Sequence, residues 1–262
     1  MKIKPLVFCG DRSLDTDHMF SPQDAPVSIH IDTLNLEDTT PYRVFMEMEP
    51  PQVCDLVQEI IDNHGFYDLI LAWHERILNE CPNAVKFTFQ GPWFAGSTLL
   101  PKKFSVSFLT SSKDKYPGHE LRQEIFKGLP KSIGALSVTK HRSPPWVDRS
   151  PMFERFQYHI AVENSRCNNY FSEKLLDCFV SRTLPLYWGC PNLQEFFNMD
   201  GVLVFETYKD LMNLLTSLTP KFYQDHAPAI EDNFQRSLAY CESWMHRIDL
   251  MIEKRLRERT DS

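Results

Sequence analysis

The residues best suited to bind an anion lie between a largely apolar stretch and the start of a helix. Residues 156–162 predict a buried strand, which ends abruptly at Glu163-Asn164-Ser165. The helical pattern of residues 171–180 carries Ser172-Glu173-Lys174 in its first turn. The unpaired N–H groups and the positive dipole end of a helix start attract anions, and a lysine adds a charge that suits phosphate.

Two neighbouring side chains extend this pattern from a phosphate site to a nucleotide site. A carboxylate beside a phosphate is unfavourable, so Glu173 is better suited to accept hydrogen bonds from sugar hydroxyls. Tyr170 supplies an aromatic neighbour, and a phosphate, a ribose and an aromatic contact together describe a nucleotide. The alternative is that Glu173 and Lys174 only solvate the helix start, where an acidic residue is favoured in any case.

The composition excludes several other function classes. The 262 residues carry 28 Lys and Arg against 35 Asp and Glu, and this net charge of −7 argues against a general nucleic-acid binder. The nine glycines form neither GxGxxG nor a GxxxxGK P-loop, which excludes both glycine-rich nucleotide motifs in their standard forms.

The cysteines, histidines and hydropathy indicate a cytoplasmic protein without a bound metal. Seven cysteines form no CxxC pair and nine histidines form no HExxH motif, so we expect reduced thiols and no metal site. Asp15-Thr16-Asp17 is interpreted as a surface turn. No apolar stretch reaches about 18 residues, so no transmembrane helix is predicted. The short apolar run near the N-terminus is interpreted as a first buried strand, since it is too short for a signal-peptide core.

Strands and helices alternate in two series, which predicts an α/β protein of two domains. We expect an N-terminal domain over residues 1–95 and a second domain with C-terminal helices over residues 96–262, with the boundary in the Gly- and Pro-containing segment 90–103. Tandem series of this kind imply two doubly wound parallel sheets with a cleft between them. Ligands of such sheets bind at the carboxyl ends of the strands.

Three blocks of this chain, in order and spacing, resemble the α-1,3/4-fucosyltransferases, glycosyltransferase family ten. The blocks are Glu-Asn-Ser at 163–165, Tyr-x-Ser-Glu-Lys at 170–174 and Leu-Pro-Leu-x-x-Gly-x-Pro-Asn at 184–192. The resemblance is strong over residues 156–205, moderate over 104–127 and weak before residue 41. The chain is most similar to short, soluble members of bacterial or phage type.

This resemblance implies a GT-B fold, with two Rossmann-like domains facing each other across a cleft. It further implies inverting transfer of fucose from GDP-fucose, the co-substrate, to a hydroxyl of a glycan acceptor. The donor would bind to the C-terminal domain and the acceptor mainly to the N-terminal one. By motif position the donor-site residues would include Asn164, Tyr170, Glu173 and Lys174, with Glu173 on the ribose and Lys174 on the pyrophosphate.

A second block adds two candidate donor-site residues. The strand predicted at residues 104–109 leads to Ser111-Ser112, and Arg122 follows on the next helix. In the family an arginine at this place meets the pyrophosphate, and a guanidinium matches phosphate oxygens bidentately. Ser112 stands where the family often has Asn. The alternative for Arg122 is an exposed helix residue beside Glu120 and Glu124.

A third block supplies a candidate general base. The sequence Arg43-Val-Phe-Met-Glu-Met-Glu-Pro-Pro resembles the family's Met-x-x-Glu-Ser-Pro, and Glu49 matches the proposed base. Inverting transfer needs a carboxylate that takes the proton from the attacking hydroxyl. Pro50 replaces the family's Ser. Glu49 at the end of a strand could also be a solvated turn carboxylate, and Glu47 lies two residues earlier.

The leaving GDP must be stabilised by positive charge, and the resemblance points to Arg122, Lys174 and the helix start for this role. No visible motif requires a divalent metal. Trp188 and Asn192 could line the sugar pocket, although Trp188 could equally be a core residue.

The basic, amphipathic segment 244–259 is expected to pack against the protein, with a weak contact to a membrane surface as the alternative. Two other functions stay open: a GT-B transferase that uses another nucleotide sugar, and a non-catalytic carbohydrate-binding relative.

Overall fold

The structure is a computed structural model that describes residues 4–6, 27–93, 101–142 and 150–260. The Asp15-Thr16-Asp17 turn lies outside these residues. The chain divides into two compact units: residues 1–89 with residues 242–262, and residues 90–241. No helix in the described part is both long and apolar enough to cross a membrane.

The first unit is built on a parallel sheet of five described strands, whose spatial order follows their order in the sequence. The strands are β1 (Lys4–Leu6), β2 (Val27–Ile31), β3 (Tyr42–Met46), β4 (Leu69–Ala72) and β5 (Ala84–Lys86). The sheet therefore lacks the reversal of strand order expected of a doubly wound sheet, at least among these strands. Successive residues of β3 and β4 point to opposite faces, so each strand contributes to two separate apolar clusters.

Short helices cover one face of this sheet. Helix α1 (Val57–Asp62) buries Val57 and Ile60, and helix α2 (Glu75–Glu80) buries Ile77 in the same cluster. Helix α1 begins later than its sequence pattern suggests, because residues 50–54 form a turn in which the Pro50 carbonyl accepts hydrogen bonds from the N–H groups of Val53 and Cys54. The prolines at 50 and 51 thus end one element without starting the next.

Strand β2 is buried on both faces, although apolar and polar residues alternate along it. Its polar residues Ser28 and His30 face a buried network instead of water. The Ser28 hydroxyl donates to the carboxylate of Asp38, and His30 Nε2 lies 2.9 Å from Asp38 Oδ2. Burial opposes the charge on Asp38, but the hydrogen bonds from Ser28, Thr40 and His30 outweigh it and hold the pKa well below its usual range. The network thereby attaches the loop after β2 to the sheet.

The C-terminal helix α9 (Trp244–Thr260) belongs to the first unit, whereas the sequence assigned it to the second domain. Ile248 and Ile252 are fully buried in the cluster formed by β2, β3 and β4. Arg247 donates to the carbonyls of Thr88 (2.7 Å) and Phe89 (2.9 Å), at the end of the same unit. The apolar face of α9 is therefore covered by this core. The boundary also moves, from 95/96 to 89/90.

The second unit contains a sheet of six described strands in the order β11-β10-β9-β6-β8-β7. The strands are β6 (Lys103–Thr110), β7 (Ser132–Ile133), β8 (Leu136–Arg142), β9 (Phe156–Val162), β10 (Leu184–Trp188) and β11 (Leu203–Val204). All pairs are parallel except β7–β8. Residues predicted as one strand at 133–138 form this hairpin, because Gly134 adopts a left-handed φ of 57°.

Six helices of the described chain complete the second unit. They are α3 (Pro117–Gly128), α4 (Pro151–Glu154), α5 (Glu173–Val180), α6 (Tyr208–Ser217), α7 (Pro220–Asp225) and α8 (Ala227–Ser237). Helices α3 and α6 pack with one face of the sheet, and α5 packs with the other. The sheet is thus covered on both sides, which is why β9 and β10 are almost entirely buried.

Replacement of Ile248 by Ala tests the assignment of α9 to the first core. Ile248 is fully buried, so Ile248→Ala is expected to lower the free energy of unfolding by about 2–5 kcal/mol. Urea unfolding followed by far-ultraviolet circular dichroism measures this change. The control is Leu250→Ala on the same helix, because Leu250 is 49% exposed and should change stability by no more than about 0.5 kcal/mol. Equal effects of the two substitutions would contradict the packing of α9.

Candidate active site

The candidate donor site lies at the carboxyl ends of β6 and β9, where the strand order of the second sheet reverses. Strand β6 pairs with β9 on one side and with β8 on the other. The chain therefore continues from β6 toward β8 and from β9 toward β10, in opposite directions along the sheet. Such a switch point opens a crevice that binds ligands in open α/β sheets. The loop after β6 leads to Arg122, and the loop after β9 leads to Lys174.

Arg122 is held at the end of β9 by two hydrogen bonds. Its guanidinium donates to the Val162 carbonyl at 2.6 Å and to Asn164 Oδ1 at 2.9 Å. The side chain is buried, with 6% of its surface exposed, so the alternative of an exposed helix residue is wrong. Burial lowers the pKa of Arg122, while the nearby charges of Glu163 and Glu173 oppose this effect. Arg122 and Asn164, both predicted from the sequence as donor-site residues, are therefore a hydrogen-bonded pair.

The helix that carries Arg122 begins in direct contact with the loop after β9. The Gly118 N–H donates to the Asn164 carbonyl at 3.0 Å. A Cβ atom at Gly118 would lie only 1.7 Å from the Glu163 carbonyl oxygen, which no side chain tolerates. Glycine at this position thus permits the close approach that brings Arg122 to Val162.

A buried carboxylate connects the end of β9 to the start of α5. Glu163 is fully buried, and its side chain accepts hydrogen bonds from the Ser172 N–H at 2.8 Å and the Ser172 hydroxyl at 2.5 Å. Ser172 is also the N-cap of α5, where its hydroxyl accepts from the Lys174 N–H. These contacts fix the first turn of α5 relative to the sheet.

Lys174 lies within this carboxylate-rich surrounding and keeps its charge. Its ammonium is 3.0 Å from Glu173 Oε1, 3.0 Å from the Ser172 hydroxyl and 3.6 Å from Glu163 Oε2. Burial opposes the charge on Lys174, but the two carboxylates outweigh it and raise its pKa. Burial also opposes the charge on Glu173, yet Lys174 holds the pKa of this carboxyl below its usual value. The pair is therefore ionised.

His119 is a buried residue of this region that the sequence patterns did not single out. It lies in the first turn of α3 and is 3% exposed, and its Nδ1 has no hydrogen-bond partner among the described residues. Burial, together with the charges of Arg122, Lys113 and Lys174, lowers its pKa to about 4. His119 is therefore neutral at physiological pH, chiefly because it is buried and further because three cations lie near it.

The remaining predicted donor residues lie in different surroundings. Tyr170 is buried, with 3% exposed, and its charge interaction with Arg122 places it near the guanidinium. Ser112 is exposed in the loop after β6 and borders a surface depression together with Asp114, Glu120 and Glu124. Lys127 also lines this depression, but the three acids outnumber it and disfavour an anion. The structure therefore brings Tyr170 to the group around Arg122 but leaves Ser112 at an acidic surface.

Trp188 and Asn192 are buried residues of the second unit. Trp188 is 8% exposed and belongs to the core cluster of β6, β9 and β10. The Asn192 side chain accepts from the Asn169 N–H at 2.7 Å and donates to Asn169 Oδ1 at 3.0 Å. Asn169 has a left-handed φ of 64°, so Asn192 braces the turn that precedes Tyr170. A sugar-binding role for either residue stays a prediction.

The candidate base Glu49 lies at the carboxyl edge of the first sheet. It follows β3 by three residues and is partly exposed. Its N–H donates to Asp32 Oδ2 at 3.0 Å, and the Met48 N–H donates to Asp32 Oδ1 at 2.8 Å. Asp32 directly follows β2, and β2 pairs with β3 in the sheet. A second acid therefore holds the backbone at Glu49, and the sequence patterns did not reveal it.

Glu47 has a different task from Glu49, although the two differ by only two positions. Its Oε2 accepts from the N–H groups of Trp73 at 2.9 Å and His74 at 2.8 Å, just after β4. Glu47 is 5% exposed, and burial raises its pKa to about 7. Since this carboxylate serves the backbone of the next loop, Glu49 is the better candidate for a base that meets substrate.

Metal ligands do not gather at either group of residues. Within the described ranges no cluster of three or more His, Cys, Asp or Glu side chains is placed to hold a metal ion. The groups that could stabilise a phosphate are the guanidinium of Arg122 and the ammonium of Lys174.

Sequence comparison finds a known family to which most of the second unit is similar. Residues 102–227 match the family model described as glycosyltransferase family 10 (fucosyltransferase) C-term. The chain is 24% identical over 132 residues to an α-(1,3)-fucosyltransferase FucT of Helicobacter pylori, which covers 50% of this chain and 27% of the relative. It is 24% identical over 164 residues to α-(1,3)-fucosyltransferase B of Drosophila melanogaster, covering 58% and 35%. The matches thus span about a third or less of these relatives.

Structure comparison agrees on the fold. A crystal structure of an α1,3-fucosyltransferase with GDP-fucose matches 86% of this chain and 79% of that chain, with a TM-score of 0.53 at 15% identity. This similarity confirms the predicted GT-B fold class. The motif blocks between residues 104 and 192 lie within the matched residues 102–227. The block at residues 43–51 lies outside them, in and after β3 of the first unit. Residues 102–227 of this chain are therefore similar to the C-terminal domain of glycosyltransferase family 10, the fucosyltransferases.

Proposed function

We propose that this protein is an inverting transferase that moves fucose from GDP-fucose to a hydroxyl of a glycan acceptor. The observation that carries the proposal is the joint placement of Arg122, Asn164 and Lys174 at the switch point of the family domain. Both curated relatives are named α-(1,3)-fucosyltransferases, and the matched crystal structure contains GDP-fucose. The acceptor and its linkage are outside this proposal.

The donor half of the proposal assigns the diphosphate to two cations. Arg122 and Lys174 bind the diphosphate oxygens, and Glu173 accepts hydrogen bonds from the ribose hydroxyls. Asn164 orients Arg122 through the 2.9 Å hydrogen bond to its guanidinium. When the bond to fucose breaks, negative charge grows on the leaving GDP, and cations that are already in place stabilise it without reorganisation.

The acceptor half of the proposal assigns proton removal to Glu49. The acceptor hydroxyl attacks the anomeric carbon as the bond to GDP breaks, and Glu49 takes the hydroxyl proton. Attack from the face opposite the leaving group inverts the configuration at that carbon. Glu49 is supported for this role because the neighbouring acids Asp32 and Glu47 are buried and accept backbone N–H groups.

Contact with a membrane surface through α9 has no support from its packing. The apolar residues Ile248 and Ile252, which such a contact would need, are buried in the first core. The proposal therefore keeps two partners, GDP-fucose and a glycan.

The donor role of Arg122 and Lys174 predicts weaker GDP binding in their variants. Loss of a charged hydrogen bond costs about 1.5–3 kcal/mol, so Arg122→Ala and Lys174→Ala are each expected to raise the Kd for GDP by about 10-fold to 150-fold. Isothermal titration calorimetry measures these constants. Arg122→Lys keeps the charge without the fork, and it separates lost binding from lost folding if the alanine variant unfolds.

Lys127→Ala serves as the matched control for charge. Lys127 is an exposed cation at the other end of the helix that carries Arg122. Its loss should leave the Kd for GDP unchanged within a factor of two. Unchanged GDP affinity in both site variants would refute the donor site.

A thermal-shift screen with GDP, UDP, ADP and GDP-fucose tests the nucleotide itself, since stabilisation by UDP or ADP alone would support a different nucleotide sugar.

The role of Glu49 predicts a variant that binds but does not transfer. Glu49→Gln keeps the size of the side chain and removes its basicity, so kcat should fall by about 10²-fold to 10⁴-fold while GDP affinity is retained. The measurement uses GDP-fucose with a radiolabelled sugar on an array of glycans, together with slow hydrolysis of GDP-fucose by water. Glu59→Gln, an exposed acid of α1, is the control. Normal turnover by Glu49→Gln would overturn the assignment, and transfer by the wild type would exclude a purely carbohydrate-binding role.

A further inference from the structure

The backbone of Glu49 is held by a carboxylate that belongs to a different strand. Asp32 Oδ1 accepts from the Met48 N–H at 2.8 Å, and Asp32 Oδ2 accepts from the Glu49 N–H at 3.0 Å. Each oxygen of Asp32 thus serves one of the two residues before Pro50. Asp32 is 7% exposed, so water offers these N–H groups little competition.

We propose that Asp32 is the positioning residue for Glu49, and this proposal rests on the base role proposed above for Glu49. A general base must reach the proton it takes within a few tenths of an ångström, so the Cα from which its side chain starts has to be fixed. Asp32 fixes the N–H side of Glu49. On the other side Pro50 restricts the conformation of Glu49 to extended backbone.

The backbone at Asp32 explains how this carboxylate reaches across the strand end. Asp32 adopts a left-handed φ of 48°, and its own N–H donates to the Met46 carbonyl at 3.1 Å. The chain therefore turns at Asp32 while it is still attached to β3. Asn and Gly also adopt this conformation readily, so Asp32→Asn can keep the backbone while it changes the acceptors.

The electrostatics of the edge argue against a purely stabilising role for Asp32. Burial raises the pKa of Asp32 to about 7 against the two backbone hydrogen bonds, and the negative charge of Glu49 raises it further. Glu47 is also influenced by the charge of Asp32. A carboxylate with these neighbours costs folding free energy. Its benefit is orientation of the chain at Glu49.

The first test is the rate of Asp32→Asn alone and together with Glu49→Gln. An asparagine offers one acceptor oxygen, so one of the two N–H groups must face an NH₂ group instead. We expect kcat for GDP-fucose hydrolysis and transfer to fall at least 10-fold, with the Kd for GDP unchanged within a factor of two. In the double variant we expect no further loss below Glu49→Gln, because Asp32 acts through Glu49. Multiplying losses would overturn the proposal.

Glu47→Gln is the matched control for the loss of a buried carboxylate. Glu47 lies on the same edge and has a similarly raised pKa, but its Oε2 alone accepts both N–H groups. A glutamine carbonyl oxygen can replace that single acceptor. We therefore expect kcat within a factor of two of the wild type. A loss of kcat as large as that of Asp32→Asn would show that removal of any buried carboxylate at this edge slows the reaction, which would overturn the specific role of Asp32.

Amide hydrogen exchange tests the hydrogen bonds from Met48 and Glu49 to Asp32 independently of catalysis. In Asp32→Asn we expect the amide of Met48 or Glu49 to exchange at least 10-fold faster, with the amides of Val44 and Met46 in β3 unchanged. Unchanged exchange at both Met48 and Glu49 would overturn the positioning role. If the wild type neither transfers fucose nor hydrolyses GDP-fucose, the proposed function fails, and the exchange result still decides whether Asp32 holds the backbone at Glu49.

Discussion

Buried carboxylates that accept backbone N–H groups hold the loops at the carboxyl ends of both parallel sheets. Asp32, which follows β2, holds the loop after β3, and Glu47, which follows β3, holds the loop after β4. Glu163, which follows β9, holds the start of α5. Strands of a parallel sheet end together, and the N–H groups of the loops beyond them have no partner in the sheet. Carboxylates satisfy these groups strongly but lose hydration when they are buried. The backbone at Glu49 and the first turn of α5 depend on this balance.

The same carboxylates explain how an acidic chain can offer a cationic site. Glu163 and Glu173 lie beside Lys174 and keep its ammonium charged although it is largely enclosed. Arg122 is held by a carbonyl and an amide oxygen, which satisfy its donors without neutralising its charge. The two cations are therefore held at the start of α5 and the end of β9. His119 stays neutral beside these cations, because burial first and the nearby positive charges second lower its pKa to about 4.

Much of the candidate site was predictable because its residues follow strand ends and match family motifs. Arg122, Asn164 and Lys174 lie together as the motif blocks imply, since β6 and β9 are neighbours in the sheet. The roles of Gly118 and Asp32 were not predictable, because each depends on a contact with a distant strand end. For Gly118 a scarce glycine near a helix start was the available signal, and for Asp32 it was an acid at the end of a strand. Neither pattern names the partner.

The sequence by itself determined the alternation of strands and helices, the two-unit α/β organisation and the similarity of residues 102–227 to the fucosyltransferases. These properties follow from local periodicity and short motifs. The tertiary structure alone decided that α9 completes the first core, because an apolar helix face does not specify which surface covers it. It also decided which acid is buried and which stays accessible at the first sheet. Glu47 and Glu49 differ by two positions, but only the fold places backbone N–H groups from the loop after β4 against one of them.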